Sequence, residues 1–205
     1  LKATLKQAYK DGLLQMDINA QVDSIKPEES LREFLTLEEL NKLVVTPCED
    51  QTLKKAAIFS ALTGLRHSDI RNLKWGEIRH DNESGYSIRF RQQKTDGDEL
   101  LPVSDQAIQL LGVPGDPSRY VFPDLEYSAY KNDILDSWIK SAGITRHIRF
   151  HSFRHTNATL LLSAGTDIYT VSKMLGHRSI KTTQIYAKVL DQAKREAAGK
   201  IKINF

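Results

Sequence analysis

Residues Arg149–Lys188 have the sequence RFHSFRHTNATLLLSAGTDIYTVSKMLGHRSIKTTQIYAK. The interpretation of the whole chain starts from this stretch. It concentrates side chains that donate hydrogen bonds, transfer protons, hold an anion or attack phosphorus, together with one carboxylate, Asp167. These side chains are His151, Arg154, His155, His177, Arg178 and Tyr186. Cations and neutral donors without clustered carboxylates favour a site for a negatively charged substrate over a site for a metal ion.

The spacing of apolar residues, caps and glycines predicts that this stretch is helical. We expect one helix over about 151–163 with Gly165 as its C-cap, and a second that opens at Thr166 or Asp167 and ends at Gly176. Ser179 is expected to cap a third helix that carries Tyr186. A further helix is predicted over about 189–198, followed by a short strand over 201–205.

Upstream of this stretch a compact domain is predicted to begin at residue 36. Thr36 followed by Glu39 is a capping-box pattern at the start of an amphipathic helix. A more apolar helix over about 52–63 closes at Gly64, and Arg66 stands at the start of the next helix. Helical periodicity returns near 104–111 and 128–141.

Between these helices the pattern changes to that of a small sheet. Tyr86, Ile88 and Phe90 alternate with polar residues, which indicates a half-buried strand. Asp96-Gly97 signals a hairpin turn before a second strand over 100–103, so Lys94 is expected near the mouth of the hairpin. The predicted fold class is therefore mainly α with a small antiparallel β-sheet (α+β).

Bulk composition sets wide limits. The 205 residues carry a net charge of +3, which permits nucleic-acid binding without demonstrating it. A single cysteine, Cys48, excludes an internal disulfide, and no apolar run is long enough for a membrane span. The absence of a disulfide framework fits a reducing compartment, so we expect a cytoplasmic protein with no membrane association.

Six residues suit chemistry at a phosphodiester: Arg66, Lys94, His151, Arg154, His177 and Tyr186. Two arginines can grip the non-bridging oxygens and stabilise a pentacoordinate transition state. A tyrosine hydroxyl can attack phosphorus, a lysine can protonate the leaving oxygen, and histidines can transfer protons or hydrogen-bond the phosphate. This set needs no metal and no cofactor, because the cations belong to the protein.

Five short motifs that contain these residues resemble the motifs of the tyrosine recombinase (phage integrase) family. They are TGLRHSDI around Arg66, QQKT around Lys94, HSFRHT around His151 and Arg154, LGHRS around His177 and TTQIYAK around Tyr186. Their order and rough spacing match over about residues 36–190. Phe153 departs from the usual leucine, and none of the six matched positions is lost.

The resemblance implies a catalytic-domain fold and roles for these residues. Tyr186 would be the nucleophile that forms a 3′-phosphotyrosyl bond, and Arg66 and Arg154 would hold the phosphate. Lys94 would be the general acid, His151 a general acid/base, and His177 a hydrogen-bond donor to the phosphate. Asp69 would brace the site, whereas His155 is expected to brace the helix or a neighbouring backbone.

The resemblance also implies partners and domain organisation. Residues 1–16 resemble the last helix of a core-binding domain, 17–35 a linker, and 36–205 the catalytic domain. Double-stranded DNA is the expected partner, with Arg178, Lys181 and Lys188 as a phosphate-facing rim. A homo-tetramer is implied on DNA, while this fragment alone is compatible with a monomer. Integration or excision of a mobile element is the implied task.

Other functions remain open at this point. Residues 166–186 imitate a helix-turn-helix, which would suit a non-catalytic DNA-binding protein but leaves Arg66, Lys94 and Arg154 unexplained. A type IB topoisomerase uses similar chemistry with different spacing. His151 and His155 could both face a zinc ion, yet they lack a third ligand at a telling spacing. A two-metal nuclease lacks the necessary carboxylates.

Overall fold

The computed structural model describes residues 2–18, 32–91 and 98–186. The chain divides into two compact units, Leu1–Leu31 and Arg32–Phe205. Lys94, the 96–97 turn, Lys188 and the elements predicted beyond residue 188 lie outside the described residues, so these predictions stay as they were made.

The first unit contains helix α1 (Lys2–Lys10), and Gly12 follows its end with a positive φ of 73°. The helices of the second unit are α2 (Leu37–Val45), α3 (Gln51–Thr63), α4 (His67–Asn72), α5 (Asp105–Leu111), α6 (Ala129–Ser141), α7 (Phe150–Ser163) and α8 (Ile168–Met174). Residues 181–186 are helical as well. No helix in the described ranges is long and apolar enough to cross a membrane.

The sheet has three antiparallel strands in the order β1 (Ile78–Asp81), β2 (Gly85–Arg91) and β3 (Asp98–Pro102). The sequence predicted β2 and β3, but β1 was missed because its four residues are mostly polar and exposed. Ile88 pairs with Ile78 on one side and with Leu101 on the other. This register places the three apolar side chains on one face of the sheet, where they pack on the core.

Helix α3 is the centre of the core. Its three alanines are buried, and Phe59 is completely buried against the ring of Phe122 at 5.4 Å between centroids. Helix α3 packs along α7, which brings the end of α3 close to the middle of α7. The fold class predicted from the sequence is confirmed by this arrangement.

The second unit starts four residues before the predicted boundary at residue 36. Leu35 is completely buried, and its N–H donates to Thr156 Oγ1 of α7 over 2.8 Å. Arg146 donates to the carbonyl of Phe34 over 3.0 Å and pairs with Glu39 at 2.7 Å. The last residues of the predicted linker are therefore fixed parts of the second unit.

Several helix ends match the sequence prediction in detail. The capping box at α2 is present: Thr36 Oγ1 accepts from the N–H of Glu39 at 3.2 Å, and Glu39 accepts from the N–H of Thr36 at 2.8 Å. Asp167 caps α8 through the N–H of Thr170 at 2.9 Å. At α7 the capping residue is Ala164 rather than Gly165, which follows with a φ of 92°.

Candidate active site

Arg154 is the central cation of the candidate site. It lies in the middle of α7 with 3% of its surface exposed. Its Nη1 donates to the carbonyl of Gly64 over 2.6 Å, and its Nη2 donates to the carbonyl of Leu175 over 2.5 Å. These two residues stand two positions before Arg66 and His177, so one guanidinium holds both turns that present predicted site residues.

The turn at Gly64 requires glycine for two reasons. Gly64 closes α3 with a left-handed φ of 73°, and its N–H donates to the carbonyl of Ser60 at 2.8 Å. A Cβ at this position would lie 2.7 Å from both Asn157 Oδ1 and Leu175 Cδ2. The close approach of this backbone to α7 is what allows Arg154 to reach the carbonyl of Gly64.

Arg66 follows this turn as the residue before α4. Its N–H donates to Asp69 Oδ2 at 3.3 Å, and its Nη1 lies 3.7 Å from the same oxygen. The side chain of Arg66 keeps 35% of its surface exposed, so a substrate can reach it. Asp69 thus contacts both the backbone and the side chain of Arg66, and Arg66 is the accessible cation next to the buried Arg154.

His177 is oriented by a residue that the sequence analysis did not single out. Its Nδ1 lies 2.8 Å from Thr183 Oγ1, and Thr183 is completely buried. Burial and the charges of Arg154 and Arg66 lower the pKa of His177 to about 4. With Nδ1 engaged by Thr183, the other ring nitrogen is the one that is left for an anion.

Tyr186 is buried, with 4% of its surface exposed. Its ring belongs to a small apolar cluster with Ala158, Leu162, Val171 and Leu175. Its hydroxyl lies 2.5 Å from His155 Nδ1. Burial raises the pKa of Tyr186, so the phenol is neutral near pH 7 and needs a proton acceptor to become a good nucleophile.

His155 contacts a side chain from another part of the chain. Its Nδ1 lies within hydrogen-bond distance of the Tyr186 hydroxyl. Its ring meets that of His151 edge-on at 4.5 Å, one helical turn earlier on α7. The sequence analysis used this spacing only to weigh a zinc site, although residues four apart on a helix share a face whatever they contact.

Both histidines on α7 are neutral near pH 7. Burial lowers the pKa of His155 to about 3, with the charges of His151, Arg32 and Arg154 acting in the same direction. Burial, followed by the charges of Arg154, Arg32 and Arg66, lowers the pKa of His151 to about 4. The pKa of Arg154 falls to about 10 through burial, which leaves it a cation at neutral pH.

Arg32 is a further cation that the sequence analysis missed. Its charge acts on His151, His155, His177 and Tyr186. It stands three residues before Leu35, whose N–H is bound to α7. No local pattern marks Arg32, since it lies in a polar stretch that was assigned to the linker.

The structure thus brings five of the six predicted residues together: Arg66, His151, Arg154, His177 and Tyr186, with Asp69 and His155 beside them. Lys94 is outside the described residues. Arg178 and Lys181 are exposed; Arg178 follows α8, and Lys181 is the first of the helical residues that end at Tyr186. Among the described residues, no three His, Cys, Asp or Glu side chains are grouped so that they could hold a metal ion.

The arrangement combines a buried cation, an exposed cation, neutral imidazoles and a tyrosine hydroxyl. Arg66 and Arg154 can bind an anion, and the remaining N–H groups of Arg154 are available beyond its two carbonyl contacts. A hydroxyl with an imidazole within hydrogen-bond distance is the usual form of an activated nucleophile. Chemically, this site can bind an anionic ester and attack it.

Comparison with known proteins adds an independent line of evidence. The model of the phage integrase family matches residues 33–193. A tyrosine recombinase of Thermosipho africanus (strain TCF52B) is 30% identical over 177 residues, which cover 82% of this chain and 62% of that protein. The chain therefore spans less than two thirds of the length of this relative.

Solved structures give the same result for the fold. The crystal structure of XerA recombinase covers 100% of this chain and 75% of its own, with a TM-score of 0.64 and 25% identity. XerH site-specific recombinase, in a post-cleavage complex with a palindromic difH substrate, covers 87% of this chain and 56% of its own. Its TM-score is 0.69 and its sequence identity is 24%, a likeness that shows a shared fold and nothing further.

Proposed function

The chain belongs to the phage integrase family, and from this premise we propose that it is the catalytic domain of a tyrosine-type site-specific DNA recombinase. It cuts and rejoins DNA strands through a 3′-phosphotyrosyl intermediate, without a metal ion or cofactor. The likeness to a tyrosine recombinase at 30% identity and the match to the family model support this function and DNA as the partner.

The observation that carries the proposal is the position of Arg154. Its two hydrogen bonds, to Gly64 and Leu175, join the turn before Arg66 to the turn before His177. The next residue on α7, His155, contacts the Tyr186 hydroxyl. Two turns thus meet at the guanidinium of Arg154, and the segment with Tyr186 meets the next residue of α7. A scissile phosphate held by cations next to a nucleophile requires such an arrangement.

The reaction follows from these groups. The Tyr186 oxygen forms a bond to phosphorus, the bond from phosphorus to the 5′-oxygen breaks, and that oxygen leaves as a 5′-hydroxyl. Arg66 and Arg154 neutralise the charge that accumulates on the non-bridging oxygens, and His177 hydrogen-bonds one of them. A 5′-hydroxyl of a partner strand then attacks the phosphotyrosine, so the bond energy is conserved.

Two proton transfers accompany cleavage. By the family pattern, Lys94 protonates the leaving 5′-oxygen and His151 serves as general acid/base.

Arg178, Lys181 and Lys188 contribute contacts to the DNA backbone. On DNA we propose a homo-tetramer that holds two duplexes, serving integration or excision of a mobile element. Residues 1–16 are proposed to continue from a core-binding domain.

The test is a covalent-adduct assay. The chain is incubated with supercoiled plasmid in EDTA, denatured with SDS, and examined for protein attached to nicked DNA, with Tyr186→Phe and Tyr169→Phe in parallel. Tyr169 is exposed on α8 and serves as the matched control. We expect an adduct in wild type and Tyr169→Phe, and none in Tyr186→Phe.

Other outcomes separate the alternatives. An adduct that persists in Tyr186→Phe would mean that another residue is the nucleophile. DNA binding in a gel-shift assay without any adduct would favour the non-catalytic helix-turn-helix protein. An adduct that requires added magnesium would contradict the metal-independent mechanism.

A further inference from the structure

We propose that Thr183 is a positioning residue: its hydroxyl donates to Nδ1 of His177 and thereby keeps the single N–H of this imidazole on Nε2, where it meets the phosphate. This inference rests on the proposed function, in which His177 hydrogen-bonds a non-bridging oxygen of the scissile phosphodiester. The sequence analysis did not assign a role to Thr183.

The contact between the two side chains is short and closed to solvent. Thr183 Oγ1 lies 2.8 Å from His177 Nδ1, and Thr183 is completely buried. Bulk water therefore cannot replace the hydroxyl as the partner of Nδ1. A buried polar atom keeps the partner that the fold provides, so this threonine sets the state of Nδ1.

The backbone of His177 is held by other contacts. Its N–H donates to the carbonyl of Ser172 over 3.0 Å. The carbonyl of Leu175, two residues earlier, accepts from Arg154 Nη2 over 2.5 Å. These contacts place the residue in the site, but they do not determine which ring nitrogen carries the proton. The contact with Thr183 does.

The position of the proton matters because the ring is neutral. Burial lowers the pKa of His177 to about 4, and the neighbouring charges act in the same direction, namely those of Arg154, Arg66, His151 and Arg32. A neutral imidazole has one N–H and one lone pair on its two nitrogens. With the proton on Nδ1 the ring turns a lone pair towards an anion, and with the proton on Nε2 it donates to the anion.

The direction of the hydrogen bond follows from the charges of the site. Arg154 and Arg66 are the cations closest in effect to His177, so an anion that they attract is drawn towards the same ring. A lone pair on Nε2 would repel that anion, whereas an N–H would bind it. Only a Thr183 hydroxyl that donates to Nδ1 leaves the N–H on Nε2.

Thr183 also joins the phosphate-binding ring to the segment of the nucleophile. Residues 181–186 are helical, and Thr183 precedes Tyr186 by three positions, so the two side chains lie on one face of this segment. Both are buried. A displacement of the segment that removes Tyr186 from the site therefore also removes the hydroxyl from His177. The imidazole is set to donate to the phosphate while the nucleophile is docked.

A competing explanation is that Thr183 only fills space next to the His177 ring. Three variants separate the two explanations. Thr183→Val keeps the volume and removes the hydroxyl, and Thr183→Ser keeps the hydroxyl and removes a methyl group. Thr182→Val is the matched control, since Thr182 is exposed on the same segment.

The first measurement determines the tautomer and needs no DNA. Protein with nitrogen-15-labelled histidine is studied at pH 7 by long-range proton–nitrogen correlation NMR, and His177→Gln identifies the signals of this ring among the six histidines. We expect wild type to show a pyrrole-type shift for Nε2 and a pyridine-type shift for Nδ1. Thr183→Ser and Thr182→Val should keep this pattern, and Thr183→Val should show averaged shifts of the two tautomers.

The second measurement is the rate at which the covalent adduct forms on supercoiled plasmid with protein in excess. We expect Thr183→Val to be slower by roughly 10-fold, because a hydrogen bond to a charged oxygen is weakened. Thr183→Ser and Thr182→Val should stay within about twofold of wild type, because both keep the hydroxyl at position 183. Circular dichroism and gel shifts confirm folding and DNA binding.

Several results would overturn the proposal. One is a wild-type ring with its proton on Nδ1. Another is Thr183→Val with the wild-type tautomer or the wild-type rate. A third is an equal loss of rate in Thr183→Val and Thr183→Ser with the tautomer unchanged, which would assign Thr183 to packing alone.

The design still decides if Thr183→Val does not fold, because the wild-type tautomer and the rate of Thr183→Ser are measured on folded protein. Absence of an adduct in wild type would overturn the proposed function instead. The NMR result does not depend on cleavage, so the two failures are distinguishable.

Discussion

Two apolar clusters support the site, and they differ greatly in size. The large core surrounds α3 and includes Phe59, Leu43 and Phe153 among its completely buried residues. The small cluster has five buried members, one of which is Tyr186. Helix α7 contributes to both, with Phe150 and Phe153 in the large core and Ala158 and Leu162 in the small cluster.

The site residues of α7 lie between its contributions to the two clusters. The turn that presents Arg66 extends from α3 in the large core, and Arg154 is bound to it. Tyr186 is held by the small cluster and by His155. Because local stability grows with buried apolar contact, the phosphate-binding side of the site should open less often than the nucleophile side.

The largest expected effect tests this difference directly. Phe59→Ala should lower the free energy of unfolding by about 3–5 kcal/mol, because the cavity cannot be refilled in the large core. Leu162→Ala should cost about 2–4 kcal/mol and should mainly loosen the small cluster. Urea unfolding gives the two energies, and hydrogen exchange shows where the protection is lost.

In Leu162→Ala we expect faster exchange of the amides of residues 181–186, with α3 still protected. In Phe59→Ala both regions should exchange faster. Equal loss of protection in α3 for the two variants would show that the clusters unfold as one unit, and the comparison would then fail.

A second variant tests the packing at the Gly64 turn, which lies between the two clusters. Gly64→Ala should cost about 2–4 kcal/mol, because alanine is strained at a φ of 73° and its Cβ meets Asn157 and Leu175. Gly143→Ala is the matched control, since Gly143 has a φ of 79° with no heavy atom near an added Cβ. It should cost only about 1 kcal/mol in thermal or urea unfolding.

Gly64→Ala should also reduce formation of the covalent adduct, because the displaced carbonyl of residue 64 would no longer accept the hydrogen bond from Arg154 Nη1. A cost equal to that of Gly143→Ala would contradict the close packing at this turn.

The smallest expected effect is a pH dependence centred on the nucleophile side. An unfolded histidine titrates near pH 6.5 and folded His155 at about 3, so the unfolded state binds the additional proton between these values. Stability should therefore fall as the pH drops below about 6.5. His155 alone should contribute roughly 1–2 kcal/mol between pH 7 and pH 5.

Urea unfolding at pH 7, 6 and 5 measures this slope, and His155→Asn should make it shallower. Part of the slope should remain, because burial also lowers the pKa values of His67, His151 and His177. An unchanged slope in His155→Asn would mean that His155 is more open to water than its position shows.

The sequence predicted the elements that depend on neighbouring residues. The capping box at Thr36, the Gly64 stop, the strand through Ile88 and the Asp167 cap are all set by contacts within a few residues, so local patterns reveal them. The motifs around Arg66, Arg154 and Tyr186 identified the family in the same way. Strand β1 was not predicted, because its exposed residues show no alternation of apolar and polar side chains.

The tertiary structure alone decided how these residues meet. Arg154 reaches a carbonyl 90 positions away and another 21 positions away, and His155 meets Tyr186 across 31 positions. Which of two histidines on one helix face touches the hydroxyl depends on how the last described helix packs against α7. Local pattern carries no information about such packing, because burial of distant surfaces, rather than backbone preference, sets it.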